Sequence, residues 1–195
     1  MKTSDDLIKA MKAADEAMRD SQSTDHIYGT RTGLPPIMPW PIESCRIVFL
    51  DIDGVLNSQK SVLQFGTRYR FGTSNIAALN EILRKTDARF VVTSTWREGL
   101  MLAEIAQFLE RDGALPGRMA GQTQILQTRR GMEIDAWLRG VPYPVSSFVI
   151  LDDLDDMDPH RKRFVQTDPQ SGITMADAQR AIELLEAWPC RDNWK

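Results

Sequence analysis

The sequence predicts an α/β fold: a mostly parallel central sheet with helices on both faces, a three-layer sandwich. Three observations carry this. Residues 46–50, 89–92, 147–151 and 163–166 are short runs rich in Val, Ile and Phe, of strand length and without the polar alternation of a half-exposed strand. Between and after them lie apolar residues at helical spacing. Strands alternating with helices are the pattern of parallel sheets covered on both sides, and no internal repeat suggests a solenoid.

The elements follow in order. Leu7, Ile8, Met11, Ala14 and Met18 form one stripe over 4–20, and Thr3 with Asp6 has capping-box spacing, so the chain is expected to open on an amphipathic helix. Residues 21–41, rich in Ser, Thr, Gly and Pro and containing Pro35, Pro36, Pro39 and Pro41, read as an irregular linker. The division expected is therefore 1–41 as arm and linker and 42–195 as the domain proper. Within the domain, strand 46–50 runs into Asp51-Ile52-Asp53-Gly54. The first helical stripe is Ile76, Leu79, Ile82 and Leu83. Strand 89–92 runs into Thr93-Ser94-Thr95-Trp96-Arg97, and further stripes are Leu102, Ile105, Phe108 and Leu109, then Ile134, Trp137 and Leu138. Strand 147–151 runs into Asp152-Asp153-Leu154-Asp155-Asp156, and 163–166 precedes a last helix marked by Ala178, Ala181, Ile182 and Leu185, with Thr174 and Asp177 again at capping-box spacing.

Composition narrows the function classes. The 195 residues are 42% hydrophobic and 26% charged, enough to bury one core and unlike a disordered or collagen-like chain. A net charge of -3 argues against indiscriminate coating of nucleic acid, while leaving room for a local basic patch. No apolar run reaches the roughly 18 residues of a membrane span, and the N-terminus turns amphipathic rather than building a signal segment; the expectation is a cytoplasmic protein without membrane partners. Cys45 and Cys190 are too few for a zinc knuckle or disulfide framework and are expected as free thiols. His26 and His160 alone cannot build a histidine-based metal centre, so any metal is held by oxygen.

Open parallel sheets bind ligands beyond the carboxyl ends of their strands. Here three such ends are polar together, two carrying carboxylates and one hydroxyls, which makes an acidic, hydroxyl-edged pocket. Turn residues end most strands, but their joint occurrence at three ends asks for more. Asp51 and Asp53 point to one side while the backbone stays extended, and Gly54 permits an abrupt change of direction. Converging carboxylates repel unless a cation neutralises them. Mg2+ suits this set; an EF-hand calcium loop needs further ligands and a closing Glu that are missing.

The segment Phe49-Leu50-Asp51-Ile52-Asp53-Gly54-Val55-Leu56-Asn57 resembles the first motif of the haloacid dehalogenase (HAD) superfamily. Val91-Val92-Thr93-Ser94 resembles its second motif, a basic residue around Arg130 its third, and Ile150-Leu151-Asp152-Asp153 its fourth. Ser94-Thr95-Trp96-Arg97, Glu133-Ile134, Trp137-Leu138 and Gly172-Ile173-Thr174 extend the likeness to the HAD domain of multidomain Swiss Army Knife RNA-repair proteins. The resemblance implies a HAD-like Rossmannoid fold and a Mg2+-dependent phosphatase acting on phosphomonoesters, with Asp51 as nucleophile and Asp53 as acid and base. An aspartate at the second position favours phosphoryl transfer over dehalogenation. Thr93 would bind the phosphoryl oxygens; Ser94 would join it or cap the following helix. Arg130 would offset phosphoryl charge, with the adjacent Arg129 as the alternative, and Arg97 is a weaker phosphate candidate, since an exposed arginine entering a helix is more often merely solvated. The metal shell implied is Asp51, Asp53 through its backbone carbonyl, and Asp152 with Asp153, either of which could touch the ion directly. Asp155, Asp156 and Asp158 would orient ligands or form a hydrated loop.

The intervals 55–89 and 98–127 are largely filled by expected helices, leaving room for loops such as 64–73 and for little or no cap. An open site together with the subgroup resemblance points to a phosphorylated DNA or RNA end, with Lys60, Arg68, Arg70 and the run Arg161-Lys162-Arg163 as candidate steering residues. The alternatives are a phosphatase of nucleotides or sugar phosphates, and a catalytically silent binding module. The stripe of the N-terminal helix could pack on its own domain, on a second copy or on another protein.

Overall fold

The computed structural model describes residues 45–187. The helix expected at 4–20, the linker at 21–41 and Cys190 lie outside the described residues. Five strands, β1 (Cys45–Leu50), β2 (Arg89–Val92), β3 (Met119–Gln122), β4 (Val145–Asp152) and β5 (Phe164–Gln166), form one parallel sheet in the order β3-β2-β1-β4-β5. The helices are α1 (Gln59–Phe65), α2 (Thr73–Thr86), α3 (Leu102–Arg111), α4 (Arg130–Gly140) and α5 (Met175–Ala187).

The side-chain alternation of β1 divides the core. Val48 and Leu50 join Phe90, Val92, Val149 and Leu151 on the face covered by α2, α3 and α5 through residues such as Leu79, Ile105 and Ala181. Ile47 and Phe49 face the other way, with Val91, Phe148 and Ile150, against Ile134, Trp137 and Leu138 of α4. The rings of Phe49 and Trp137 meet edge-on at 5.3 Å. Both faces are apolar, which is why these strands read as continuous hydrophobic runs.

Two elements were not expected from the sequence. β3 is the short edge strand Met-Ala-Gly-Gln, with none of the β-branched residues that mark a strand, and its pairing slips in register at Phe90/Val91. Helix α1 has seven residues, too few for an apolar repeat to show, and it falls in an interval read partly as loop. Its only sequence marks are its ends: Ser58 accepts the Ser61 amide at 3.3 Å, and Gly66 adopts the left-handed conformation with φ of 67°. The expected capping box before α5 is present, with Thr174 N donating to Asp177 Oδ2 at 3.0 Å and Asp177 N to Thr174 Oγ1 at 3.3 Å. Among the described residues no cap domain interrupts the sheet, and no helix is long and apolar enough to cross a membrane.

Candidate active site

Register brings the polar strand ends together. Leu50 of β1 pairs with Val92 of β2 and Leu151 of β4, so the next residues, Asp51, Thr93 and Asp152, stand side by side at the carboxyl rim of the three central strands. The ladder continues one step into them: Asp51 N donates to Leu151 O at 3.0 Å and Thr93 N to Leu50 O at 2.9 Å. Asp153 follows, and carboxylate oxygens of Asp51, Asp152 and Asp153 lie within 4.8 Å of one another. Gly54, at φ of 73°, turns the chain beneath Asp153, and a Cβ there would stand 2.5 Å from Asp153 Cγ.

One cation is already supplied. Arg130 Nη1 lies 3.3 Å from Asp51 Oδ1 and 3.4 Å from Asp152 Oδ2, and it donates to the Thr93 carbonyl. One guanidinium does not neutralise three carboxylates. Burial pushes Asp51 above the ordinary carboxylate range, against the pull of Arg130. Burial, and then the charge of Asp51, push Asp152 up to about 8. Burial also raises Asp153. For Arg130, burial works against the charge, but Asp51 and Asp152 outweigh it and hold the guanidinium protonated. Asp152 Oδ2 and the Thr93 hydroxyl are buried without a hydrogen-bond partner. Clustered oxygens carrying surplus negative charge, one of them unsatisfied, are what a hard divalent cation relieves, and the cluster fits a metal site.

Asp53 is differently placed. Its side chain is half-buried, outside the three-carboxylate group, with Oδ2 accepting from the Trp96 indole at 3.0 Å and Oδ1 from Asn57 Nδ2 at 2.6 Å. Neither donor was singled out for this from the sequence. The available signals were a tryptophan just past a hydroxyl-bearing strand end and an asparagine four residues after the aspartate. The Ser94 hydroxyl accepts the Trp96 amide at 3.4 Å, capping the short 3₁₀ turn Thr95–Glu98, and also hydrogen-bonds Asp51.

Of the two adjacent arginines, Arg130 faces the carboxylates and Arg129 is exposed, 4.0 Å from Asp158. The turn preceding β5 fixes this choice. Asp156 accepts the Arg130 amide at 3.2 Å through Oδ2 and the Gly131 amide at 3.3 Å through its carbonyl, which holds the start of α4. Asp155 and Asp158 pair instead with Arg161, at 2.9 and 3.3 Å.

Two expectations are corrected. Arg97 is not solvated: its side chain is 3% exposed, pairs with Glu133 Oε2 at 2.7 Å and donates to Thr123 Oγ1. The pairing is long-range, from the end of β2 to α4, and nothing local in the sequence announces it. Arg163 is not a surface steering residue either, since its guanidinium donates to Leu184 O at 2.9 Å and stacks 5.5 Å from the Phe148 ring. Arg68 and Lys60 remain exposed, and Arg70 pairs with Asp112 at 3.1 Å.

A family model described as the HAD domain in Swiss Army Knife RNA repair proteins matches residues 47–178, about two thirds of the chain. No curated protein and no solved structure matches.

Proposed function

Since the chain belongs to the HAD domain family of Swiss Army Knife RNA repair proteins, we propose that it is a Mg2+-dependent phosphohydrolase that works through an aspartyl phosphate on Asp51, with phosphorylated DNA or RNA ends as its substrates. The observation that carries this reading is the convergence of Asp51, Asp152 and Asp153 within 4.8 Å around a rim that also holds Arg130 and an unpartnered Thr93 hydroxyl.

The residues divide the work. An Asp51 oxygen attacks phosphorus, and the bond from phosphorus to the leaving oxygen breaks while Asp53 gives that oxygen a proton. Water then attacks the phosphorus of the acyl phosphate, Asp53 takes the water's proton, and inorganic phosphate departs with Asp51 restored. Arg130 donates to the phosphoryl oxygens as negative charge spreads over them, and the Thr93 hydroxyl finds there the acceptor it lacks. Asp51, Asp152, Asp153 and the Asp53 carbonyl would hold Mg2+, whose charge would let Asp51 approach an anionic phosphoryl group.

The substrate class rests on access. The only element inserted between β1 and α2 is α1, so among the described residues nothing closes the rim to a phosphate on a large molecule. A cavity of about 440 Å3 opens beside Asp53 and Asp153 against Val62, Leu63 and Pro169, room for the terminal residue of a strand. Lys60, next to the cavity-lining Gln59, and Arg68, whose carbonyl accepts from the cavity-lining Asn57 at 3.0 Å, are exposed. The test is a panel of DNA and RNA bearing 3'- or 5'-phosphates, nucleotides, sugar phosphates and phosphopeptides, with Mg2+ and with chelator. Strand ends are expected to have the highest kcat/KM, and chelator to abolish turnover. Preference for a free nucleotide or sugar phosphate would move the reading to a metabolite phosphatase, and turnover by a folded Asp51→Asn variant would reject the mechanism.

A further inference from the structure

Asp53 stands past the end of β1, half-buried beside the Gly54 turn. What holds it is a pair of side chains that can donate to it without accepting its proton. The Trp96 indole reaches Oδ2 at 3.0 Å and the Asn57 amide reaches Oδ1 at 2.6 Å. Both donors are themselves fixed. Trp96 is 2% exposed, wedged against Tyr69, Phe71 and Phe108 at ring separations of 5.4, 5.7 and 6.2 Å, with the Arg68 guanidinium 5.4 Å over its ring. The same Asn57 nitrogen also donates to the Arg68 carbonyl at 3.0 Å, so the 66–72 segment braces both.

We propose that Trp96, assisted by Asn57, is the positioning residue of the acid–base step: its indole N–H aims the Asp53 carboxyl at the leaving oxygen and the incoming water. The inference rests on the reading of Asp53 as proton carrier. A carboxylate offers about four lone-pair sites, and with one donor on each oxygen each keeps one for the proton in transit. An indole N–H has no lone pair to compete for that proton, unlike a hydroxyl or an imidazole. Proton transfer demands hydrogen-bond reach and direction, and a carboxyl free to swing would spend most of its time misaligned.

The test is the leaving-group dependence of kcat/KM, which covers the steps through formation of the aspartyl phosphate. A good leaving group such as dinitrophenolate departs without a proton; phenolate needs one. Trp96→Phe keeps an aromatic ring and deletes the donor. It is expected to lower kcat/KM about 10- to 100-fold for phenyl phosphate and less than about 3-fold for dinitrophenyl phosphate. Equal losses on both substrates would mean a merely structural role and would overturn the inference, as would no loss in a folded variant. If Trp96→Phe melts below the assay temperature, Asn57→Leu deletes the other donor while keeping the branched outline of the side chain and carries the same two outcomes. Asp53→Asn, run in parallel, separates the levels. A selective loss there with a uniform loss in Trp96→Phe overturns only the positioning role. A uniform loss in Asp53→Asn overturns the acid–base reading beneath it.

Discussion

Asp51 is buried among charges, beside Arg130 and two further carboxylates, whereas Asp53, two residues on, is half-buried and held by two neutral N–H donors. The difference follows from the backbone. Asp51 is the first residue past β1 and still hydrogen-bonded to β4, so its side chain falls into line with those of the neighbouring strand ends. Asp53 lies beyond them, where Gly54 turns the chain and the nearest side chains come from the 3₁₀ turn after β2 and from Asn57. Asp51 is thereby set among the charged groups of the rim, and Asp53, whose charge also acts on Asp51 and Asp153, is the one held by directional neutral donors. The first suits a nucleophile beside a cation, the second a proton carrier.

The sharpest way to break this contrast is to neutralise each carboxylate in turn. Asp51→Asn should abolish phosphate release for every leaving group, because no oxygen anion remains to attack. Asp53→Asn should cost about 10²- to 10⁴-fold, concentrated in substrates whose leaving oxygen needs a proton. Values of kcat/KM for phenyl and dinitrophenyl phosphate, which stop at formation of the aspartyl phosphate and so leave out the water step that Asp53 serves for every substrate, measure both. If the two variants gave the same leaving-group profile, the division of labour between the aspartates would be lost.

A next effect reaches Asp51 from a distance. Arg130 sits at the start of α4, and one turn later Glu133 is fastened to Arg97 by a buried pair at 2.7 Å and accepts the Leu126 amide at 2.9 Å. Glu133→Gln leaves Arg97 buried without its counter-charge, and breaking one partner of a buried pair costs about 3–5 kcal/mol. Urea unfolding is expected to show that loss. In the folded fraction, turnover should fall to a similar extent for both aryl phosphates, since the damage enters through α4 and Arg130. A selective loss with phenyl phosphate would place the damage at Asp53 instead.

How much of this was legible in the sequence depended on the range of the interaction. Strands β1, β2 and β4 could be read because burial on both faces leaves unbroken apolar runs, and Asp51, Thr93, Asp152 and Asp153 could be read because each ends such a run. Their alignment could not, since it is a matter of pairing Leu50 with both Val92 and Leu151. The edge strand β3 needs no such apolar run and so gave no signal. Arg97 reads as solvated from the sequence because its partner is 36 positions away, and an arginine with no partner nearby in sequence is normally exposed. Trp96 lies within the Ser94-Thr95-Trp96-Arg97 segment, yet nothing in spacing alone shows that its N–H, rather than its ring, meets Asp53.

The smallest effect concerns protons in the charged half of the comparison. Asp152 has a folded pKa of about 8, raised by burial and by Asp51, against an ordinary value of 3.8. A carboxyl raised on folding keeps its proton in the folded chain where the unfolded chain has lost it, so its contribution to stability is fullest at low pH and falls as pH rises toward the folded value. Between pH 7 and pH 9 this group alone should lower the stability of the metal-free protein by about 1 kcal/mol, a drop of roughly 2–4 °C in Tm. Asp152→Asn should reduce it, and so should saturating Mg2+, because a bound cation stabilises the ionised carboxylate whose charge the metal-free site penalises. Thermal melts at the two pH values, with Mg2+ and with chelator, measure all of these. A metal-free Tm that stayed level or rose with pH, or an unchanged slope in Asp152→Asn, would show that the strained charge does not reside at Asp152 beside Asp51.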